Sequence, residues 1–308
     1  MSAIFDIVSI PFGYVMRFIY EFVGNYGLSI VLFAVLCKIL MIPLSIKQKR
    51  SMMISMRMQP KIQELQRKYG KDTQRLNQEL SALYDREGAS PMAGCGTMLL
   101  TLPIMFGLYY VISQPLKYFM RLTADQIATL ASRLGVEMSN SYTAQIGLAG
   151  MIGDNFEKVA DISENLIPVS FNFLGMNLAQ TPSIKEFGLL WLIPILSGLT
   201  AFAFSYMQTK LNQQNGMNNA QAQSTNKMML IMMPLMSLYF GFVLPAGLGL
   251  YWIVNNLLSA VQELILNSYL SKKFAEEDEK RAKQAAARKA ARKQQQMLLR
   301  QQEEQEEK

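Results

Sequence analysis

Lys38 is the first residue whose type and position could do chemistry. It stands in the run Gly27–Ile46, which holds no other charge, about eight residues from the inner end and so ~12 Å deep at ~1.5 Å per residue. An ammonium at that depth needs water, a partner or an interface within reach. Snorkelling towards the cytoplasmic headgroups supplies one solution, and a wet internal cavity supplies another. Company on other apolar runs favours the cavity. Trp252, Asn255, Asn256, Ser259, Gln262 and Glu263 recur at three and four, forming one polar stripe on an otherwise apolar helix. Ser197, Thr200 and Gln208 repeat the spacing in 187–208, and Thr97 and Thr101 in 92–112. Such stripes should face one another rather than lipid. They could be interhelical hydrogen-bond glue. Alternatively, they line a hydrophilic groove holding one positive charge and closed towards the outside. Apart from Glu263, near the inner end of its run, no acidic partner for Lys38 is evident. Anionic groups on an entering peptide segment would then be attracted to it.

Other chemistries lack their residues. The chain has no histidine, which removes the commonest general base and the commonest metal ligand. Cys37 and Cys95 each sit in an apolar stretch, so neither a disulfide framework nor a zinc site is expected. No aspartate lies in an apolar run, and nothing places a serine for a Ser–Lys pair. The chain therefore reads as a non-enzyme without metal or cofactor. A small-solute membrane transporter is the alternative, but it calls for inverted repeats and usually intramembrane carboxylates. Neither is visible. A purely structural scaffold would leave Lys38 unexplained. The 22 methionines gather at Met52, Met53, Met56 and Met58 and again at Met228, Met229, Met232, Met233 and Met236. Flexible thioether surfaces suit varied apolar partners. The first group reads equally as packing or as a surface for apolar segments, and the second as ordinary packing within a span.

The elements that must position these residues are helices in a bilayer. Half of the residues are hydrophobic, and the 17% that are charged fall in a few blocks. Runs long enough for a ~30 Å hydrocarbon core are 27–46, 92–112, 187–208, 228–244 and 248–269. They predict an all-α membrane protein, a five-helix transmembrane bundle. Lys and Arg number 23 in 47–91, 209–227 and 271–308, against six in 1–26 and 113–186. The positive-inside rule then puts the N-terminus outside and the C-terminus in the cytoplasm. Residues 1–26, with Asp6, Arg17 and Glu21 among aromatic and aliphatic neighbours, predict an amphipathic helix in the outer interface. No cleaved signal peptide is expected. Segment 47–91 predicts a cytoplasmic hairpin of helices Lys47–Tyr69 and Thr73–Arg86, with Met52, Met53, Met56, Ile62 and Leu65 on one face. The outer loop 113–186 should carry short helices near Asp125–Leu134 and Phe156–Glu164. A cytoplasmic loop covers 209–227, and 270–308 is a charged tail.

Several motifs, in order and spacing, resemble YidC-type membrane protein insertases. They are Pro43-Leu44 followed by SIKQKRSM, QPKIQELQRKYGKD, Pro91-Met92-Ala93-Gly94-Cys95 with LLTLPIMFGLYY, FNFLGMNLAQTPS, and LPAGLGLYWIVNNLLSAVQELIL. The similarity covers roughly residues 1–272. It implies five core helices around a positively charged groove, open to cytoplasm and lipid and sealed outside. It implies insertion of nascent membrane-protein segments into the lipid bilayer, alone or beside the Sec translocon. Under this resemblance Met52, Met53, Met56 and Met58 become a client-receiving surface. The family's groove cation is usually Arg. Lys38 stands at that position and keeps the charge while losing the guanidinium fork. Trp252 matches a position associated with nascent-chain contact. The large outer domain of some relatives is not seen, which resembles a Gram-positive form. The basic hairpin and tail suggest ribosome docking through phosphate contacts, which the tail's eight acidic residues weaken.

Overall fold

The structure, a computed structural model, describes residues 2–87, 103, 105–137, 144–214 and 220–306. Cys95, Thr97, Thr101 and most of 92–112 lie outside the described residues. The chain falls into two compact units, 1–261 and 262–308. Helix α1 spans Ser2–Val23 and ends at Gly24, whose φ of +67° suits a residue without Cβ. Asn25 then caps α2: its side chain accepts from the Leu28 amide and donates to the Asn172 carbonyl.

Helix α2 runs unbroken over Tyr26–Tyr69, with Pro43 and Pro60 inside it. The expected span and first hairpin arm are therefore one helix of ~66 Å. The chain turns at Gly70–Asp72, and the Asp72 carboxylate accepts from the Arg75 amide to start α3, Thr73–Glu87. Lys61 pairs with Glu87 at 2.5 Å to hold the arms. Residues 105–113 form α4. Short helices follow: α5 Pro115–Tyr118, α6 Ala124–Arg133, α7 Ala144–Gly150 and α8 Phe156–Val159. The second and fourth match the short helices expected near Asp125 and Phe156.

One feature departs from an all-helical expectation. Asn172–Phe173 and Met176–Asn177 form a two-residue antiparallel ladder, β1–β2. Leu174 and Gly175 close it with φ of +51° and +81°, the paired positive values of a tight hairpin turn.

The remaining helices are α9 Leu192–Gln214, α10 Ala220–Val243 and α11 Ala246–Glu306. Their contacts fix their directions. Ser197 meets Ser237, and Gly241 abuts Pro194, so α9 and α10 are antiparallel. Gly249 abuts Ile193 and Asn256 meets Thr200, equal steps along both chains, so α9 and α11 run parallel and in register. A Cβ on Gly249 would stand 2.3 Å from Ile193 Cγ2, so this approach needs glycine.

The densest core lies where segment 113–186 covers the starts of α2 and α11. Tyr26, Ile30 and Phe33 of α2 join Met16 and Tyr20 of α1, Leu108 and Ile112 of α4, and Phe119, Leu178 and Leu248. The Tyr26 ring lies 4.6 Å from Phe171 and 5.8 Å from Phe119. Backbone bonds from Ala246 to Gln180 and from Gly247 to Leu178 tie α11 to the same segment. Together these residues make an apolar plug.

Among the described residues, Tyr26–Tyr69 and Leu189–Gln214 are long and apolar enough to cross a bilayer, and Lys227–Val243 is a shorter apolar helix. The start of α11 falls below that level because its polar stripe dilutes the hydropathy.

Candidate functional site

Lys38 lies on α2 beyond the plug residue Phe33 and is half-buried. Its Nζ donates to Ser259 Oγ at 2.7 Å. Ser259 Oγ is 2.6 Å from the Asn255 carbonyl. A carbonyl only accepts, so the single hydroxyl proton goes there and Lys38 must be the donor in its own bond. This has two consequences. Ser259 is not poised as a nucleophile against a neutral amine. And the ammonium rests on a neutral acceptor, with no carboxylate among the described residues paired to it.

Beside it, Asn256 Nδ2 donates to Thr200 Oγ1 at 3.3 Å, and Thr200 donates to the Leu196 carbonyl at 2.8 Å. Ser197, fully buried, shares a 2.6 Å hydrogen bond with Ser237. The Trp252 ring packs 6.0 Å from Phe240 of α10. Polar groups from α2, α9, α10 and α11 thus form a seam inside an otherwise apolar set of helices.

Of the residues singled out by sequence, the structure brings together Lys38, Ser259, Asn255, Asn256 and Thr200, with Trp252 on the same helix. Gln208 is half-buried two turns further along α9 and outside these contacts. Gln262 belongs to the second unit. Thr101 lies outside the described residues. The methionines are distributed in an unforeseen way. Met53, Met56 and Met58 are buried and Met52 half-buried, so the hairpin does not display them. Met228, Met229, Met232, Met233 and Met236 are exposed instead. Ser237 was missed by sequence reasoning; it is the only serine in 228–244, and that isolation was the available signal.

An uncancelled cation and a polar seam, among helices of which two are long and apolar enough to cross a bilayer, define a helical membrane protein with an internal hydrophilic site. Its relatives are specific. The profile of the family described as 60Kd inner membrane protein matches residues 18–273, and the chain belongs to that family. It is 32% identical over 263 residues to a protein named membrane protein insertase YidC from Rickettsia bellii (strain OSU 85-389), covering 85% of this chain and 39% of that one. Proteins of the same name from Rickettsia prowazekii (strain Madrid E) and Rickettsia felis (strain ATCC VR-1525 / URRWXCal2) are 30% and 32% identical, each over 86% of this chain and 39% of theirs. The chain thus spans about two-fifths of the length of these curated relatives.

Proposed function

We propose that this chain is a membrane protein insertase that moves hydrophobic segments from the cytoplasm into the plasma membrane. On this reading five helices cross the bilayer: α2, the helix that ends at residue 113, α9, α10 and the first part of α11. The alternating directions of α9, α10 and α11 support that count. The excess of Lys and Arg in 47–91, 209–227 and 271–308 supports an outside N-terminus and a cytoplasmic C-terminus. The name carried by the relatives supports the activity.

The observation that carries the reading is the bond from Lys38 to Ser259 instead of to a carboxylate. A half-buried positive charge with a neutral partner remains available to an anionic group. The acidic or polar flank of a client would enter beside Lys38, where Ser, Thr and Asn groups replace part of its lost hydration. The plug around Tyr26 and Phe119 keeps the far side closed. The client's apolar segment then leaves into lipid across the exposed faces of α9 (Leu196, Leu199, Phe202) and α11 (Leu257, Val261), driven by its own burial. Neither nucleotide nor metal is required by these steps. The Sec translocon and the ribosome are partners on this reading, the latter through the basic hairpin and tail.

Depletion and rescue tests it. Wild type, Lys38→Arg and Lys38→Ala are compared at equal protein level for insertion of small clients with acidic outer segments. Arg restores insertion and Ala does not. Equal rescue by Ala would remove the charge from the mechanism.

A further inference from the structure

The turn between β1 and β2 carries an unexpected residue. Leu174 and Gly175 hold φ of +51° and +81°, and at such positions a hairpin ordinarily places Asn, Asp or Gly. A leucine in the left-handed region is strained, because its Cβ crowds the carbonyl oxygen. Protein contact returns little for that strain, since the side chain is 78% exposed. In water, the conformation and the exposure of Leu174 are both unfavourable.

Leu174 has company. A Cβ on Gly175 would stand 3.4 Å from Leu189 Cδ2, so the turn rests on the first residue of the apolar stretch Leu189–Gln214. The Trp191 indole donates to the Ser183 carbonyl at 2.9 Å and to the Glu186 carbonyl at 3.1 Å. Those bonds fold 183–187 back beside the opening of α9. Within that segment Ile184 and Phe187 are 72% and 85% exposed, although the Phe187 ring lies 5.0 Å from Trp191. Three apolar side chains from two loops thus gather, uncovered, around one helix end. They continue into the exposed face of α9 at Leu192, Ile195 and Leu199.

The same loops limit the depth. Lys185 and Glu186 are exposed between Ile184 and Phe187, and 178–188 is neither helix nor strand. Irregular backbone of this kind is not tolerated facing lipid within the hydrocarbon. A tryptophan whose N–H is satisfied beside it suits the boundary between headgroups and acyl chains. We infer, on the reading that α9 crosses the bilayer, that Leu174, Ile184 and Phe187 dip into the outer leaflet at that boundary, with Lys185 and Glu186 among the headgroups. The partner is the lipid surface itself. At the base of the hairpin, Phe171, Met176 and Leu178 are buried in the plug, and the Leu178 carbonyl accepts from the Gly247 amide of α11. The anchored tip therefore holds the plug at a fixed depth.

Quenching of a site-specific fluorophore tests this on the full chain in vesicles of phosphatidylethanolamine and phosphatidylglycerol. Cys37 and Cys95 are changed to Ser, and a nitrobenzoxadiazole label is placed by Leu174→Cys, Ile184→Cys or Phe187→Cys. Leu199→Cys reports the spanning helix. Expected at 174, 184 and 187 is quenching by lipid with a nitroxide high on its acyl chain, several-fold above quenching by aqueous iodide. Iodide-dominated quenching there, with lipid-dominated quenching at 199, overturns the inference and leaves α9 spanning. Iodide-dominated quenching at 199 overturns the spanning reading itself. Protection from both quenchers at 174, 184 and 187 means that a second copy or another protein covers the patch, which also overturns the inference.

Discussion

Lys38 and Ser259, 221 residues apart in sequence, meet at 2.7 Å through a bond in which the ammonium must donate. Because Ser259 gives its own proton to Asn255, the serine holds the lysine in place without cancelling its charge. That distinction separates two substitutions. Ser259→Ala removes the neutral acceptor of one hydrogen bond, a change of about 1 kcal/mol, and insertion of acidic-flanked clients should fall by no more than about fivefold. Ser259→Asp places a carboxylate on the same ammonium, and opposite charges in a half-buried site hold each other strongly. Insertion should then fall as far as in Lys38→Ala. Equal activity of Ser259→Asp and wild type would show that clients do not use the charge.

The parallel pairing of α9 and α11 depends on Gly249. Its substitution by Ala puts a Cβ 2.3 Å from Ile193 Cγ2, and the helices must separate or Ile193 must leave its rotamer. Overpacking of this kind costs about 1–3 kcal/mol. Seven residues further on, the same separation would stretch the contact between Asn256 and Thr200. Thermal unfolding in detergent should show a lower midpoint for Gly249→Ala. Ile193→Ala removes the Cγ2 that the new Cβ meets, so the two changes together should cost less than the sum of each alone. Full additivity of the two losses would locate the strain elsewhere.

The Asp6–Lys117–Tyr118 cluster makes a pH prediction. The hydrogen bond from Tyr118, and then that from Lys117, holds the Asp6 carboxyl below the ordinary carboxylate range. Burial pulls the Lys117 ammonium down, but its bonds with Tyr118 and Asp6 prevail and hold it above the ordinary lysine value. For Asp6 the depressed value gives stabilisation that is present above about pH 4 and lost on acidification through the folded value. For Lys117 the raised value gives stabilisation that is present below about pH 10 and lost as pH rises through the folded value. The attachment of α1 should therefore be insensitive to pH between about 5 and 9. Hydrogen exchange in α1 should accelerate below about pH 4 in wild type. In Asp6→Asn that acid-induced acceleration should be absent, on top of a uniformly faster baseline.

Periodicity made much of this architecture legible. The hairpin turn at Gly70–Asp72, the short helix near Asp125 and the polar stripe on 248–269 were all readable, because each rests on a cap, a breaker or i+3/i+4 spacing. Lys38 was legible as an isolated charge. Its partner was not, since several hydroxyls on other helices were equally spaced candidates and rotation about each helix axis is set by packing. Ser237 and the exposure of the methionines were hidden for the same reason: composition does not tell which face of an apolar helix meets protein. The continuity of 27–69 was obscured by the change from apolar to basic residues at Ile46–Lys47, which ends the apolar run without ending the helix. The β1–β2 turn depends on a left-handed Leu174, a conformation with no sequence signature of its own.

Tyr26 closes the plug with a hydroxyl that has no hydrogen-bond partner among the described residues, although its ring is fully buried between Phe119 and Phe171. An unsatisfied buried hydroxyl costs about 1–3 kcal/mol. Tyr26→Phe keeps the ring contacts and removes the orphan group. The variant should unfold at a higher temperature, by an amount corresponding to roughly 1 kcal/mol. If the seal must loosen when a client's polar flank passes outward, the same variant should slow insertion of clients with long polar outer segments and spare those with short ones. Pulse-labelled insertion of a client series graded by outer-segment length reads this directly. A lower melting temperature would mean that the hydroxyl is held by an internal water, and the seal would then be stronger with tyrosine than without it.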